Sequence, residues 1–431
     1  MLLSLVHIAF ALIGVWGIAR MSRTALSTVS LFAVTLALCA VMALYVFMIS
    51  EPPNLFEDFK TAYLAAGRAV LAGPSALAPE LELGAHGFVN IPIVAYLFSP
   101  FALLPARLAS LAFLLVGAVS VLAAWHLLCR HYRFDRTEAA ISLFLVACFG
   151  PLLYSVREGN TSHILLVAII GGLVLSRGRK DFSAGAAFAA AAIIKPPLLL
   201  IGVYYACRGR WKVAAGGLAL CSGVALLSVA LFGWDMHVLW FQQFREYAGD
   251  PMPGYNAQSL ATAASRFVLG PESFLNWDPQ PLPDLVRLGV LAGTFGLLAL
   301  GVATGIRARN IPEREDLELS LLLAFICIAS TVSWSHYYVW LLPGFAFVYA
   351  RLKDAGTKTW LIPASIAAFA LAMPAEYLGT HGASGIQGVV SGVVVSHLLW
   401  GGLIFYAVLA AIGAPSFALS RNKASTPSAA K

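Results

Sequence analysis

The sequence predicts an all-α, polytopic transmembrane helical bundle, and three observations lead there. First, 60% of the 431 residues are hydrophobic and only 11% are charged, with a mean hydropathy of +0.81. That balance leaves too little polar surface for a soluble fold of this size. Second, the apolar residues come in runs of roughly 17 to 25, long enough for a helix to cross about 30 Å of hydrocarbon, where the backbone must satisfy its own hydrogen bonds. Third, Lys and Arg recur in short connectors between these runs, the pattern of cytoplasmic loops.

Taken in order, the runs are 2–19, 26–49, 107–129, 138–156, 161–177, 213–233, 284–306, 317–333, 338–350, 359–377 and 389–413, which gives about 11 crossings. The first has no basic residues ahead of it and no small-residue cleavage site, so it reads as a retained span rather than a secretory signal. The basic connectors are Arg20 and Arg23; Arg130, Arg133 and Arg136; Arg177, Arg179 and Lys180; Arg208, Arg210 and Lys212; Arg307, Arg309 and Arg314; Arg351, Lys353 and Lys358; and Arg421 and Lys423. They hold 19 of the 28 basic residues, so they mark the cytoplasmic side. The net charge of +7 therefore reports topology and implies no nucleic-acid partner. Segments 50–106, 157–160, 234–283 and 378–388 fall on the other side; the third carries five acidic residues against two basic ones. Residues 1–417 form a single transmembrane domain, and 418–431 a short cytoplasmic tail.

Two stretches resist simple counting. Phe182 to Cys207 has basic connectors at both ends but Lys195-Pro196-Pro197 in its middle, where two prolines cost the helix its hydrogen bonds. It reads as two half-helices returning to the same side, a broken-helix hairpin. Ser333-Trp334-Ser335-His336-Tyr337-Tyr338 separates two short spans and places a polar, aromatic turn near the outer headgroups. Broken helices at membrane depth are tolerated where they line a cavity.

Some chemistries lose ground at once. Cys39, Cys129, Cys148, Cys207, Cys221 and Cys327 lie in or at the ends of spans without metal spacing, so they read as small apolar residues. The nine histidines form no metal motif, no Asp-x-Asp pair stands in the outer loops, and there is no P-loop or Rossmann fingerprint. The sequence thus calls for no metal and no cofactor.

What stands out is Asp58, in the polar loop Glu57-Asp58-Phe59-Lys60-Thr61, a carboxylate just outside the bilayer on the non-cytoplasmic face. Sugar transfer from a polyprenyl phosphate to a hydroxyl needs a base for the acceptor proton, cations or donors for the leaving phosphate, and a groove for the prenyl chain. Asp58 can serve as base, with Glu57 the neighbour that could take its place. Arg68, Arg157, Lys195, Arg245, Arg266 and His336 stand away from the cytoplasmic clusters and can meet phosphate, for which an Arg fork is better shaped than a Lys point charge. Tyr255-Asn256-Ala257-Gln258-Ser259-Leu260 supplies amides and hydroxyls for sugar.

An ordered set of motifs runs through residues 55 to 350: Asp58-Phe59 with Ala66-Gly67-Arg68 and Leu71-Ala72-Gly73, Pro100-Phe101-Ala102-Leu103-Leu104-Pro105, Glu158-Gly159-Asn160, Ala184-Gly185 through Lys195-Pro196, Asn256-Ala257-Gln258-Ser259-Leu260 with Arg266, and Ser333-Trp334-Ser335-His336. In this order they resemble glycosyltransferase family 87, membrane enzymes of the GT-C type that include polyprenyl-phosphomannose-dependent mannosyltransferases. The resemblance implies a GT-C bundle with extracytoplasmic loops and an inverting transferase in the plasma (inner) membrane. It implies a polyprenyl-phosphate-linked sugar donor and a lipid or glycan acceptor, with membrane lipids around the bundle. Asp58 would be the base, His336 would lie near the donor phosphate or the acceptor, Lys195 matches the Lys-Pro position, and Asn256, Gln258 and Ser259 match the polar loop before Arg266. Two departures stand out: Gly159-Asn160 occurs where the family has Gly-Gln, and Asn90-Ile91-Pro92-Ile93-Val94 replaces a Tyr-x-Tyr-Pro-Pro stretch.

Each residue also has a structural reading. Asp58 could be a solvated helix cap, Lys195 a cap on a broken helix with its head snorkelling to the headgroups, and His336 an interfacial packing residue; Arg68, Arg157 and Arg266 could pair with acids such as Glu158. The rival functional reading is a secondary transporter or lipid flippase, where broken helices and buried charges also occur. Apart from Lys195, however, the ionisable residues sit mainly at span ends and in outer loops, which favours chemistry at the interface.

Overall fold

A computed structural model describes residues 2–24, 27–49, 55–355, 360–373 and 385–414. The tail, Lys358, Arg421, Lys423 and most of segment 378–388 lie outside the described residues. Among the described residues the fold is an all-α bundle without strands; a single antiparallel bridge joins Ala257 to Trp334. Each apolar run named above contains a helix. Thr28–Tyr45, Ala106–His131, Trp211–Gly249 and Asp284–Asn310 are by themselves long and apolar enough to cross a membrane. Arg136–Ala147 with Gly150–Glu158 and Gly385–Val395 with His397–Ile412 form two further candidates, bent by 51° and 60°. The protein is thus a multi-pass membrane bundle, several of whose apolar runs are shorter helices.

Local chemistry explains the boundaries. Arg136–Ala147 opens on a capping box in which Asp135 accepts from the Thr137 and Glu138 amides and Glu138 accepts from the Asp135 amide, satisfying donors the helix leaves free. Leu2–Met21 and Thr28–Ile49 pack on it around the buried Phe144 ring. Arg314–Ala329 runs through the largest apolar core, with Leu317, Leu321, Ala324 and Ile328 buried against Leu342–Ala355 and His397–Ile412.

The interrupted stretch around Lys195 takes the form of a hairpin. Asp181–Ile194 stops at Lys195, Pro196–Leu199 forms a 3-10 turn and Leu200–Cys207 follows. Asn90 Nδ2 donates to the Ile194 carbonyl, one of the groups the broken helix leaves unpaired. The ends of the segment meet, since Arg210 Nη2 lies 2.7 Å from Asp181 Oδ1. Asp181–Ile194 packs against Trp211–Gly249 at backbone contact: a methyl at Gly185 would stand 1.8 Å from the Val213 carbonyl oxygen, and one at Gly216 would stand 2.0 Å from that of Phe182. Small residues are what permit such close approach between membrane helices.

Two segments placed on the outer side are largely helical. Trp211–Gly249 breaks at Gly233, with φ +79°, at the end of the expected 213–233 span, and the chain then continues as helix through Gly249. Asp58, assigned to a loop, leads into a π-helix at Phe59–Tyr63 and then the helix Leu64–Ala72. The aromatic cluster of Phe59, Phe98, Phe101 and Phe113 supplies the apolar burial that folds this segment down.

Several helices run between two chemically distinct ends. At one end the acidic start of Arg314–Ala329 meets the basic connectors: Asp316 contacts His131 at 2.6 Å and Arg177 at 3.6 Å, Glu318 contacts Arg208 at 3.1 Å and Arg314 at 2.8 Å, and Glu315 contacts Arg210 at 3.2 Å. Tyr204 and Tyr205 donate to Glu318 and Glu315. Carboxylates at a helix N-terminus also complement its dipole. From this network Asp181–Ile194 rises 14 residues, about 21 Å of helix, and delivers Lys195 to the cavity at the opposite end.

Candidate active site

That end holds a cavity of about 390 Å³, within the roughly 300–1,000 Å³ of small-ligand sites. It is lined from eight parts of the chain. Glu57 and Asp58 come from the residues just before the π-helix; His86, Val89 and Asn90 from the following loop; Tyr154, Arg157, Glu158 and Asn160 from the end of Gly150–Glu158 and the turn after it; and Lys195 from the broken hairpin. Tyr247, Tyr255, Asn256, Trp277, Trp334 and His336 complete it.

Asp58 is partly exposed, as a residue facing a cavity must be, yet lies deep within the protein envelope. Burial raises its carboxyl above the ordinary range; the Asn160 hydrogen bond and the charge of Lys195 pull it back, and Glu57 adds a further push upward. Asn160 Nδ2 donates to Asp58 Oδ2 at 2.7 Å. Glu57, the alternative base, also lines the cavity but is exposed.

Lys195 and Arg157 supply the positive charge, and beside them stands the imidazole of His336, which burial and the charge of Lys195 hold neutral. Lys195 is buried, with Nζ 5.0 Å from the Tyr337 ring centre. Arg157 pairs with Glu158 at 3.2 Å and lies over the Tyr154 ring. His336 is 3% exposed, and neither ring nitrogen has a hydrogen-bond partner among the described residues. A buried imidazole without partners loses the hydrogen bonds it had in water, so a ligand in the cavity is the natural source of replacements. Its ring is roughly parallel to those of Tyr154 and Trp334.

Asn256 is held in place on both sides: Nδ2 donates to the Tyr154 hydroxyl at 2.7 Å and Oδ1 accepts from Trp277 Nε1 at 2.8 Å. Its carbonyl accepts from the Ser335 amide at 2.7 Å, and the Gln258 amide donates to the Ser333 carbonyl. The two polar motifs, some 80 residues apart in sequence, are thereby joined into one wall.

The remaining sequence candidates lie elsewhere. Gln258 is buried and donates to the Tyr255 and Val395 carbonyls. Ser259 caps Leu260–Leu269 by accepting from the Thr262 amide. Arg266 is 1% exposed and its guanidinium donates to the carbonyls of Pro253, Gly254 and Ala257 and to Ser396 Oγ. All three brace the loop that presents Asn256 and do not line the cavity. Arg68 and Arg245 are exposed and outside it. Conversely, Tyr154, Tyr247, Trp277 and Trp334 line the cavity although the sequence does not single them out, and Tyr255, at the head of the polar stretch expected to meet sugar, lines it too. Glu158 and Asn160 stood in a recognised motif but were not selected; a polar run at the tip of an apolar span was the signal available.

The arrangement places the carboxyl groups of Asp58, Glu57 and Glu158, the cations Lys195 and Arg157, an unpartnered imidazole, amides and aromatic faces around a space of sugar-like dimensions. Comparison with known proteins agrees in kind. The chain is 26% identical over 356 residues, covering 74% of its length and 76% of the relative's, to a polyprenol-phosphate-mannose-dependent alpha-(1-2)-phosphatidylinositol mannoside mannosyltransferase of Mycolicibacterium smegmatis. Residues 88–333 match the model of glycosyltransferase family 87, a stretch that includes Arg157, Lys195 and Asn256 while Asp58 and His336 flank it. Since that match spans more than half of the chain, the protein belongs to glycosyltransferase family 87 and is a membrane glycosyltransferase.

Proposed function

We propose that this chain transfers a sugar, mannose by analogy with the mycobacterial relative, from a polyprenyl phosphate to a hydroxyl of a lipid or glycan acceptor, with inversion, on the extracytoplasmic face of the plasma membrane. Residues 1–417 act as one catalytic unit. Asp58 takes the proton of the acceptor hydroxyl as its oxygen bonds to the anomeric carbon, and the bond from that carbon to the phosphate oxygen breaks with its electron pair, releasing polyprenyl phosphate. Lys195, Arg157 and His336 hold the phosphate as its charge grows, a role fixed groups in a shielded site fill without reorganising. Asn256 and the aromatic rings orient the sugar, and Gln258, Ser259 and Arg266 support Asn256 from behind. Arg68 takes no part.

One observation carries the reading: Asp58 faces Lys195, Arg157 and His336 across a single cavity, although these residues are scattered over nearly 280 positions of sequence. The test is a panel of radiolabelled polyprenyl-phospho-sugars incubated with purified protein and membrane lipid extract. A labelled product from the mannose donor is expected, and Asp58→Asn should lower its rate by about 10²–10⁴-fold, the usual contribution of a general base. Wild-type turnover by that variant would remove Asp58 from the chemistry.

A further inference from the structure

We propose that Asn160 is the positioning residue for Asp58: its carboxamide holds Oδ2, so that Oδ1 is the oxygen presented to the acceptor hydroxyl. This rests on Asp58 acting as the base.

The sense of the Asn160 amide follows from its partners. Oδ1 accepts from the Ser162 amide at 3.1 Å, a bond the NH2 cannot make, and from Ser162 Oγ at 3.0 Å. Nδ2 is thereby turned to Asp58 Oδ2 at 2.7 Å, the length of a charge-assisted bond. No protein donor to Asp58 Oδ1 is seen among the described residues. Asn160 is itself immobilised: it is 4% exposed and its amide donates to the Ser155 carbonyl at 2.8 Å. Ser162 is anchored in turn, its carbonyl accepting from Trp340 Nε1.

The backbone around the contact is fitted to the segment that carries Asp58. Gly159 closes the preceding helix at φ +69°, a conformation glycine adopts without strain. A methyl there would stand 2.6 Å from Phe59 Cβ and 3.3 Å from Phe56 Cα. The Phe56 amide donates to the Arg157 carbonyl at 2.7 Å. The turn 157–162 and the turn 56–59 thus dock as one unit, with the Asn160–Asp58 bond at its centre and 102 residues of chain between the partners. A carboxylate held by one oxygen has its second oxygen aimed, which is what proton abstraction within hydrogen-bond reach requires.

The contact also bears on the proton affinity of Asp58. Other titratable groups acting on that carboxyl are Glu57 and Tyr63 from its own segment, Glu158 beside Asn160, Lys195 from the hairpin, and Tyr247 and Tyr337 from the far wall. Removing the amide leaves all of these in place and deletes one bond that favours the ionised form.

The test uses the purified full chain, with wild type, Asn160→Ala, Asn160→Asp and Ser162→Ala compared in two measurements. One is the acid limb of kcat/KM with the mannose donor; the other is the pH at which Asp58 becomes protected from or open to carbodiimide labelling, read by mass spectrometry without donor or acceptor. Asn160→Ala should lower kcat by about tenfold or more and move both midpoints upward by about one pH unit, the effect of losing a hydrogen bond to a charge. Asn160→Asp should move them further, since two adjoining carboxyls cannot both ionise easily. Ser162→Ala, which only loosens Asn160, should move them in the same direction by less, and it decides the matter if Asn160→Ala does not fold. Labelling and acid limb moving together supports the positioning role, and either one staying at its wild-type midpoint overturns it. Transfer by Asp58→Asn would defeat the base assignment separately, because the labelling midpoint is read without donor, acceptor or transfer.

Discussion

Asp58 is held between opposing influences: burial disfavours its charge, while Asn160 and Lys195 favour it. Because burial dominates, its carboxyl titrates above the ordinary aspartate value of about 3.9. A base works only when ionised, so transfer should fall as pH drops through that raised value, and the acid limb of a kcat/KM profile should lie above the ordinary aspartate range. Glu57→Gln should keep transfer and move the limb slightly downward, because it removes the neighbouring charge that pushes the Asp58 carboxyl up. The stability sign is opposite to that of a salt-bridged carboxylate, since the ionised, buried form is disfavoured in the folded state. Asp58→Asn should therefore melt no lower than wild type at neutral pH while losing transfer, and a marked fall in melting temperature would mean that Asp58 has a structural role.

The elements show how small residues position charged ones. Gly185 and Gly216 let Asp181–Ile194 lie backbone to backbone on Trp211–Gly249, which fixes the height at which Lys195 enters the cavity. Gly185→Val should be strongly destabilising, with loss of folded protein in detergent seen by size-exclusion profile and melting temperature, because the carbonyl it would strike cannot swing aside as a side chain can. A variant with wild-type melting behaviour would show that the helices can separate without cost. The break at Lys195-Pro196-Pro197 was legible in the sequence because proline's missing N–H acts locally. The helix beyond Gly233 and the π-helix after Asp58 were not, because their apolar faces make sense only against Phe98, Phe113 and the 84–97 segment.

For the whole molecule, the ion-pair network and the cavity occupy opposite ends of the same helices. If the basic connectors are cytoplasmic, the cavity opens outward. Single cysteines placed at Thr61 and Arg179 in a cysteine-free background should divide accordingly: an impermeant maleimide added to intact cells should label position 61 and spare position 179. The reverse result would place the chemistry in the cytosol and defeat the proposed donor topology. The broken hairpin that invited a transporter reading belongs instead to a family 87 glycosyltransferase, where it delivers a buried cation to a cavity.

Composition and periodicity by themselves determined that the chain is a helical membrane protein, where its apolar runs lie and which connectors carry the positive charge, because the demand of lipid on backbone and charge is read one segment at a time. The ordered motifs brought Asp58, Lys195, Asn256 and His336 into view, and Arg157 stood out as a basic residue away from the cytoplasmic clusters. Only the tertiary structure decided that these five share a cavity while Gln258, Ser259 and Arg266 stand behind its wall, and that Asn160 grips Asp58. A polar residue near a membrane surface looks the same in sequence whether it faces a ligand or braces a loop, and the difference lies in which distant carbonyls, amides and rings the fold brings within about 3 Å of it.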